Sequence, residues 1–258
     1  MRILGSVEPL AVDAPEEEPF ETGIHRIGAS VHALGGSLFV AGGLGEARGP
    51  ESDVLEYILS AGSAARRWPL HTPRYLHASV AVSPSRILLI GGLTDTGEGL
   101  CATAAAERLD LEQGTSERLP DLPFATAEPQ IARLSDGRIL VMGGYDDDGL
   151  VTRTALLDTD AGAWHSLAPL PSPRAGATPI VLADRVLLVG GMSTFGEPSA
   201  PSILISDPPL SSWTERPLEI PVGAAITPME QGTFLVVGGR APDGSPLADV
   251  TLWTTESP

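Results

Sequence analysis

One feature limits this chain before any other. An apolar run that ends in two adjacent glycines occurs five times: "LFVAGG" from Leu38, "ILLIGG" from Ile87, "ILVMGG" from Ile139, "VLLVGG" from Val186 and "FLVVGG" from Phe234. The first glycines are Gly42, Gly91, Gly143, Gly190 and Gly238, at intervals of 49, 52, 47 and 48 residues. A repeat of this period makes each unit one supersecondary structure that buries its faces against its neighbours. The runs are continuous rather than alternating, so each reads as a strand covered on both sides. Glycine follows where the strand ends in a crowded turn that needs positive φ.

Three further segments surround each run. Upstream lies a stretch rich in small residues: "HRIGASVHAL" from His25, "PRYLHASVAV" from Pro73, "TAEPQIARL" from Thr126, "PRAGATPIVL" from Pro173 and "PVGAAITPM" from Pro221. Small residues suit strands that converge on an axis. Downstream lies a third strand, such as "DVLEYIL" from Asp53 or "AERLDL" from Ala106. A fourth, short strand carries Trp68, Trp164 and Trp213 in three of the units, and Pro-rich links lead to the next unit. Four antiparallel strands per unit describe a propeller blade. The glycine pair, the downstream aromatic residue and the link of "PLPSPR" type (Pro169 to Arg174) together resemble the kelch repeat over nearly the whole chain.

The expected fold is therefore all-β, a single five-bladed kelch-like β-propeller with four antiparallel strands per blade. Blade 1 is expected over about 24–72, blade 2 over 73–123, blade 3 over 124–171, blade 4 over 172–219 and blade 5 over 220–254. The fifth unit has no outer strand of its own. "RILGSVEPL" (Arg2 to Leu10) is strand-like, so an N-terminal strand over about 2–10 is expected to join the last blade and close the ring. Five blades is a low count for the family this resembles. The acidic segment 11–23 reads as a linker, and Glu16, Glu17 and Glu18 are placed to cover the channel mouth as a lid.

Charge narrows the partners. The net charge is −17, and all 16 basic residues are arginine. That disfavours nucleic acid and anionic membrane, which need a basic face. Cys101 is the only cysteine, which excludes an internal disulfide. No His-x-His or His-x-x-x-His pair exists, so no histidine-built metal site is expected, and no cofactor is implied. The first residues lack the apolar core of a signal peptide, which points to a cytoplasmic, monomeric protein.

Arg26, Arg74 and Arg174 share one slot, 16 or 17 residues before the first glycine of their units. The kelch resemblance implies that this arginine lies near the channel mouth, where it could grip carboxylate or phosphate. The alternative is that each arginine holds a neighbouring blade. Units three and five have Thr126 and Val222 there instead. Glu128 sits near the third slot, where it could pair with a neighbouring arginine, and Tyr145 could lean over the channel mouth; both are ligand-binding candidates. His77 and Tyr75 follow Arg74 and could transfer a proton. "YDDDG" (Tyr145 to Gly149) reads as a turn, because its aspartates lack the alternate spacing of a calcium loop. Three functions remain open on the sequence: a module binding an acidic peptide or anionic small molecule, a cofactor-free isomerase or cyclase, and a protein-interaction scaffold.

Overall fold

The structure is a computed structural model that describes residues 2–6, 25–46, 48–159, 161–182, 185–193, 202–217, 220–221, 224–229, 233–241 and 245–254. Five four-stranded antiparallel sheets surround an axis. In chain order and from the axis outward, blade 1 is Ser30–Leu34, Ser37–Ala41, Asp53–Ile58 and Ser63–Pro69. Blade 2 is Ala78–Ser83, Arg86–Ile90, Ala106–Asp110 and Thr115–Leu119. Blade 3 is Gln130–Arg133, Ile139–Met142, Thr154–Asp158 and Ala163–Ser166. Blade 4 is Thr178–Leu182, Arg185–Val189, Ser202–Ser206 and Trp213–Pro217.

Blade 5 contributes Ala225–Pro228, Thr233–Val237 and Val250–Thr254, and takes its fourth strand from the other end of the chain. Arg2–Ser6 pairs antiparallel with Val250–Thr254, in a register that joins Ile3 to Trp253. The linker and its three glutamates lie outside the described residues, as does Val222.

Packing follows the strand pattern. The second strands are the apolar runs, and their two faces feed two different cores. Ile87 and Leu89 meet Phe39, Val54 and Trp68 of blade 1, whereas Leu88 and Ile90 meet Ile139, Val141 and Leu157 of blade 3. Val186 and Leu188 face Leu140 and Met142 of blade 3, while Leu187 and Val189 face Phe234, Val236 and Trp253 of blade 5. Residues of period two thus alternate between neighbouring blades, which explains why the runs are apolar throughout. Full burial of each such leucine or isoleucine stabilises the fold by roughly 1.5–3 kcal/mol.

The glycine pairs lie at one end of the ring, and their two members have different tasks. The first glycine finishes its own blade: the amides of Gly42, Gly91 and Gly143 donate to the carbonyls of Asp53, Ala105 and Arg153. The second steps to the next blade: Gly43, Gly92 and Gly144 donate to the carbonyls of Arg74, Thr126 and Arg174 at 2.8, 2.9 and 2.7 Å. Both positions need positive φ, and a Cβ on Gly42, Gly91 or Gly143 would collide with the same carbonyl oxygens. The pair is the joint between blades.

Candidate functional site

The slot arginines are turned into their own blades. Arg74 is 0% exposed and Arg174 1%. Arg74 Nη2 donates to Glu107 Oε1 at 2.6 Å, Nη1 to the carbonyls of Ala105 (2.7 Å) and Gly91 (3.0 Å), and Nε to Thr72 O (3.2 Å). Glu107 is also fully buried and accepts the amides of His71 and Thr72, each at 2.8 Å. Arg174 pairs with Glu215 at 2.6 Å and hydrogen-bonds Ser202 Oγ. Arg26 pairs with Asp53 at 2.7 Å and donates to Gly42 O at 3.1 Å. Each guanidinium is a spoke inside its own blade, anchoring the link to the third or fourth strand. The donors are committed to carbonyls and carboxylates of the blade, the blade-holding role that the sequence left open beside an arginine mouth.

Blade 3 achieves the same tie with a different set. Thr126 is fully buried, and its hydroxyl donates to Gly143 O at 2.8 Å, the counterpart of the carbonyls that Arg26 and Arg74 reach. The position filled by Asp53 in blade 1 is Arg153 here, just before the third strand. Arg153 pairs with Asp146 and lies 5.1 Å from the ring centre of Phe124.

What stands at the mouth is a backbone chain with three side chains on it. The residue two after each slot adopts the left-handed conformation: Gly28 (φ 65°), Leu76 (53°), Glu128 (47°) and Gly176 (65°). Leu76 N donates to Gly28 O, and Glu128 N to Leu76 O, both at 2.8 Å, so the chain steps from blade to blade around the axis. Glu128 O is held in turn by Gln130 Nε2 at 2.7 Å. Tyr145 exchanges both backbone hydrogen bonds with Ala127, the residue before Glu128, at 2.7 and 2.9 Å. Tyr75 makes the same exchange with Leu93 in blade 2.

The Tyr145 phenol is electrostatically linked to both Glu128 and Tyr75. Burial pushes the Glu128 carboxyl above the usual range. Burial, then Glu128 and Tyr75, push the Tyr145 phenol up to about 12. Burial also raises Tyr75. Among the described residues nothing donates a hydrogen bond to the Glu128 carboxylate, and none forms an ion pair with it.

His77 lies apart from this group, at the junction of the innermost strands of blades 1 and 2. Its Nε2 is hydrogen-bonded to Ser30 Oγ at 3.0 Å, and His32 Nε2 to Ser79 Oγ at 2.9 Å. These crossed pairs fasten one blade to the next. Burial, then the nearby Arg74 and His32, lower the His77 pKa to about 3. So weak a base suits a structural tie better than proton transfer near neutral pH.

The acidic turn is built for local bonds. Asp146 Oδ1 accepts the amides of Asp148 (3.1 Å) and Gly149 (3.2 Å), and Asp147 Oδ1 accepts Ala102 N from the neighbouring ribbon at 2.9 Å. Among the described residues no group of three or more His, Cys, Asp or Glu could hold a metal ion. No helix among them is long and apolar enough to cross a membrane. A shallow cavity of about 490 Å³ lies on the opposite face, between Leu134, Asp136 and Arg138 of blade 3 and Pro208 and Leu210 of blade 4.

No family model matches the chain. Curated relatives do. Beta-scruin of Limulus polyphemus is 27% identical over 190 residues, 69% of this chain and 20% of the relative. Kelch-like protein 35 of Mus musculus is 25% identical over 220 residues, 84% of this chain and 35% of the relative. Kelch-like protein terF of Aspergillus terreus is 26% identical over 232 residues, 83% of this chain and 50% of the relative. The chain thus spans from a fifth to a half of the length of these relatives. Five blades joined at repeated glycine pairs make the chain a five-bladed β-propeller, and over most of its length it is similar to scruin and Kelch-like proteins.

Proposed function

We propose that this propeller is a protein-interaction module that receives a partner polypeptide on the glycine-pair face, over the mouth around Tyr75, Glu128 and Tyr145. The observation that carries the reading is the state of Glu128. It is a half-buried carboxylate in a backbone conformation that two other blades assign to glycine, and no described residue donates to it. The kelch-repeat relatives support a binding role. Ile27 and Val31, 72% and 57% exposed on the axial part of blade 1, add apolar surface suited to a polypeptide.

An acidic peptide or anionic small molecule would need a free guanidinium at the mouth. Arg26, Arg74 and Arg174 are held within their blades, so that ligand class has little to grip there. The test is an unbiased selection of random peptides displayed on phage against the immobilised propeller. Enriched peptides should lose binding to the Tyr145→Ala variant and keep it with a substitution on the opposite face, such as Arg138→Ala. Enrichment of peptides indifferent to Tyr145 would refute a mouth site.

A further inference from the structure

We infer that the mouth recognises a basic side chain, a lysine or arginine of the partner polypeptide, received by the Glu128 carboxylate with Tyr145 beside it. This rests on the interaction-module reading above and adds the chemistry of what is recognised.

Three observations lead to it. The first is local. Glu128 takes the left-handed backbone slot at φ 47°, filled by Gly28 and Gly176 in blades 1 and 4 and by the apolar Leu76 (φ 53°) in blade 2. A non-glycine residue there costs roughly 1–2 kcal/mol, and strain of this size persists where the side chain has a use. The carboxylate is half-buried and has no cation or donor among the described residues, a costly state that a guanidinium or ammonium would relieve.

The second is the company it keeps. Tyr145 is paired through its backbone with Ala127, the residue before Glu128, and its phenol senses the Glu128 charge. A carboxylate with an aromatic side chain nearby is suited to a cation, which each attracts. The same set repels a carboxylate or phosphate.

The third is the field around the site. Among the described residues, nine arginines are already paired with the chain's own carboxylates. Exposed acids stand on the loops of this face: Glu46, Asp95, Glu98, Asp147 and Asp148. With a net charge of −17, this face draws in basic segments and turns away acidic ones.

The test is an ¹⁵N NMR titration with acetyl-Gly-Ser-Gly-Arg-Gly-Ser-Gly-amide and its lysine, citrulline and glutamate counterparts. We expect the arginine and lysine peptides to shift the amides of Leu76, Glu128 and Tyr145, with dissociation constants on the order of 1 mM. Citrulline and glutamate peptides should not. Glu128→Gln, the same size without the charge, should weaken the arginine peptide about tenfold with the rest of the spectrum unchanged. Shifts spread evenly over the acidic loops and indifferent to Glu128→Gln would overturn the inference, as would a citrulline peptide that binds equally well. Methylguanidinium binding as tightly as the peptide would assign the site to a free cation instead of a polypeptide. If unbiased selection yields mouth-binding peptides without basic residues, the interaction module stands and the basic-residue reading falls. If selection yields no mouth binder at all, both fall.

Discussion

The amide of Gly43 donates to the carbonyl of Arg74, 2.8 Å away in the next blade, and the guanidinium of Arg74 then holds Glu107 on the third strand of that blade. One residue therefore serves both the joint between two blades and the tie within one. The glycine repeat and the arginine repeat are two halves of a single device.

Removing one half of the buried ion pair leaves the other charged and unpaired. Arg74→Ala and Glu107→Ala should each destabilise the protein by about 3–5 kcal/mol, read as a lower urea midpoint. Arg174→Ala should cost less, because Glu215 is 37% exposed on its side chain and can be solvated. Equal losses for Arg74 and Arg174 would contradict the assignment.

Glycine substitutions separate crowding from composition. A Cβ at Gly42 or Gly143 would strike a carbonyl of the next blade and would also have to adopt positive φ. Gly42→Ala and Gly143→Ala should each lower stability by several kcal/mol. Gly49→Ala meets open space and should stay within about 0.5 kcal/mol of the wild type. Thermal melts of the three variants give the answer.

The left-handed slot offers a gain in stability at the cost of binding. Glu128→Gly should raise stability by roughly 1 kcal/mol through relief of the backbone, while it removes the carboxylate and weakens the basic peptide. A variant that loses stability would show that Glu128 serves the fold instead.

Acid should weaken the protein through carboxylates held low in the folded state. The side-chain hydrogen bond from Arg66, opposed by burial and helped by Ser37, lowers Glu56. The Gln113 amide, with Arg86, lowers Asp110. A depressed folded pKa gives stability that is complete above the unfolded value, 4.5 for Glu56, and is lost as pH falls through the folded one. Urea midpoints should therefore be flat near neutrality and drop once the pH passes below that value. Glu56→Gln should flatten part of the drop; an unchanged profile would remove Glu56 from the account.

The frame was legible because it repeats. Glycine pairs, apolar runs and link arginines recur at nearly constant spacing, and the period alone dictates blades. The arginine partners were hidden because they do not repeat. Asp53, Glu107 and Glu215 lie 27, 33 and 41 residues after Arg26, Arg74 and Arg174, on different strands, so no pattern marks them. Thr126 breaks the arginine pattern, and only the hydroxyl bond to Gly143 O shows that it keeps the tie. Glu128 and Tyr145 were visible as neighbours of the mouth. The left-handed backbone that gives Glu128 its meaning becomes readable only when Gly28 and Gly176 are aligned on it.

The central claim is that the slot arginines hold the ring and the Glu128 mouth binds. The most direct measurement takes one mouth-binding basic peptide and determines its affinity for wild type, Arg74→Lys and Glu128→Gln at a temperature where all three are folded. The account predicts that Arg74→Lys melts earlier yet binds as wild type does, and that Glu128→Gln melts as wild type does yet binds about tenfold more weakly. A folded Arg74→Lys variant that has lost the peptide, beside a Glu128→Gln variant that keeps it, would contradict the claim.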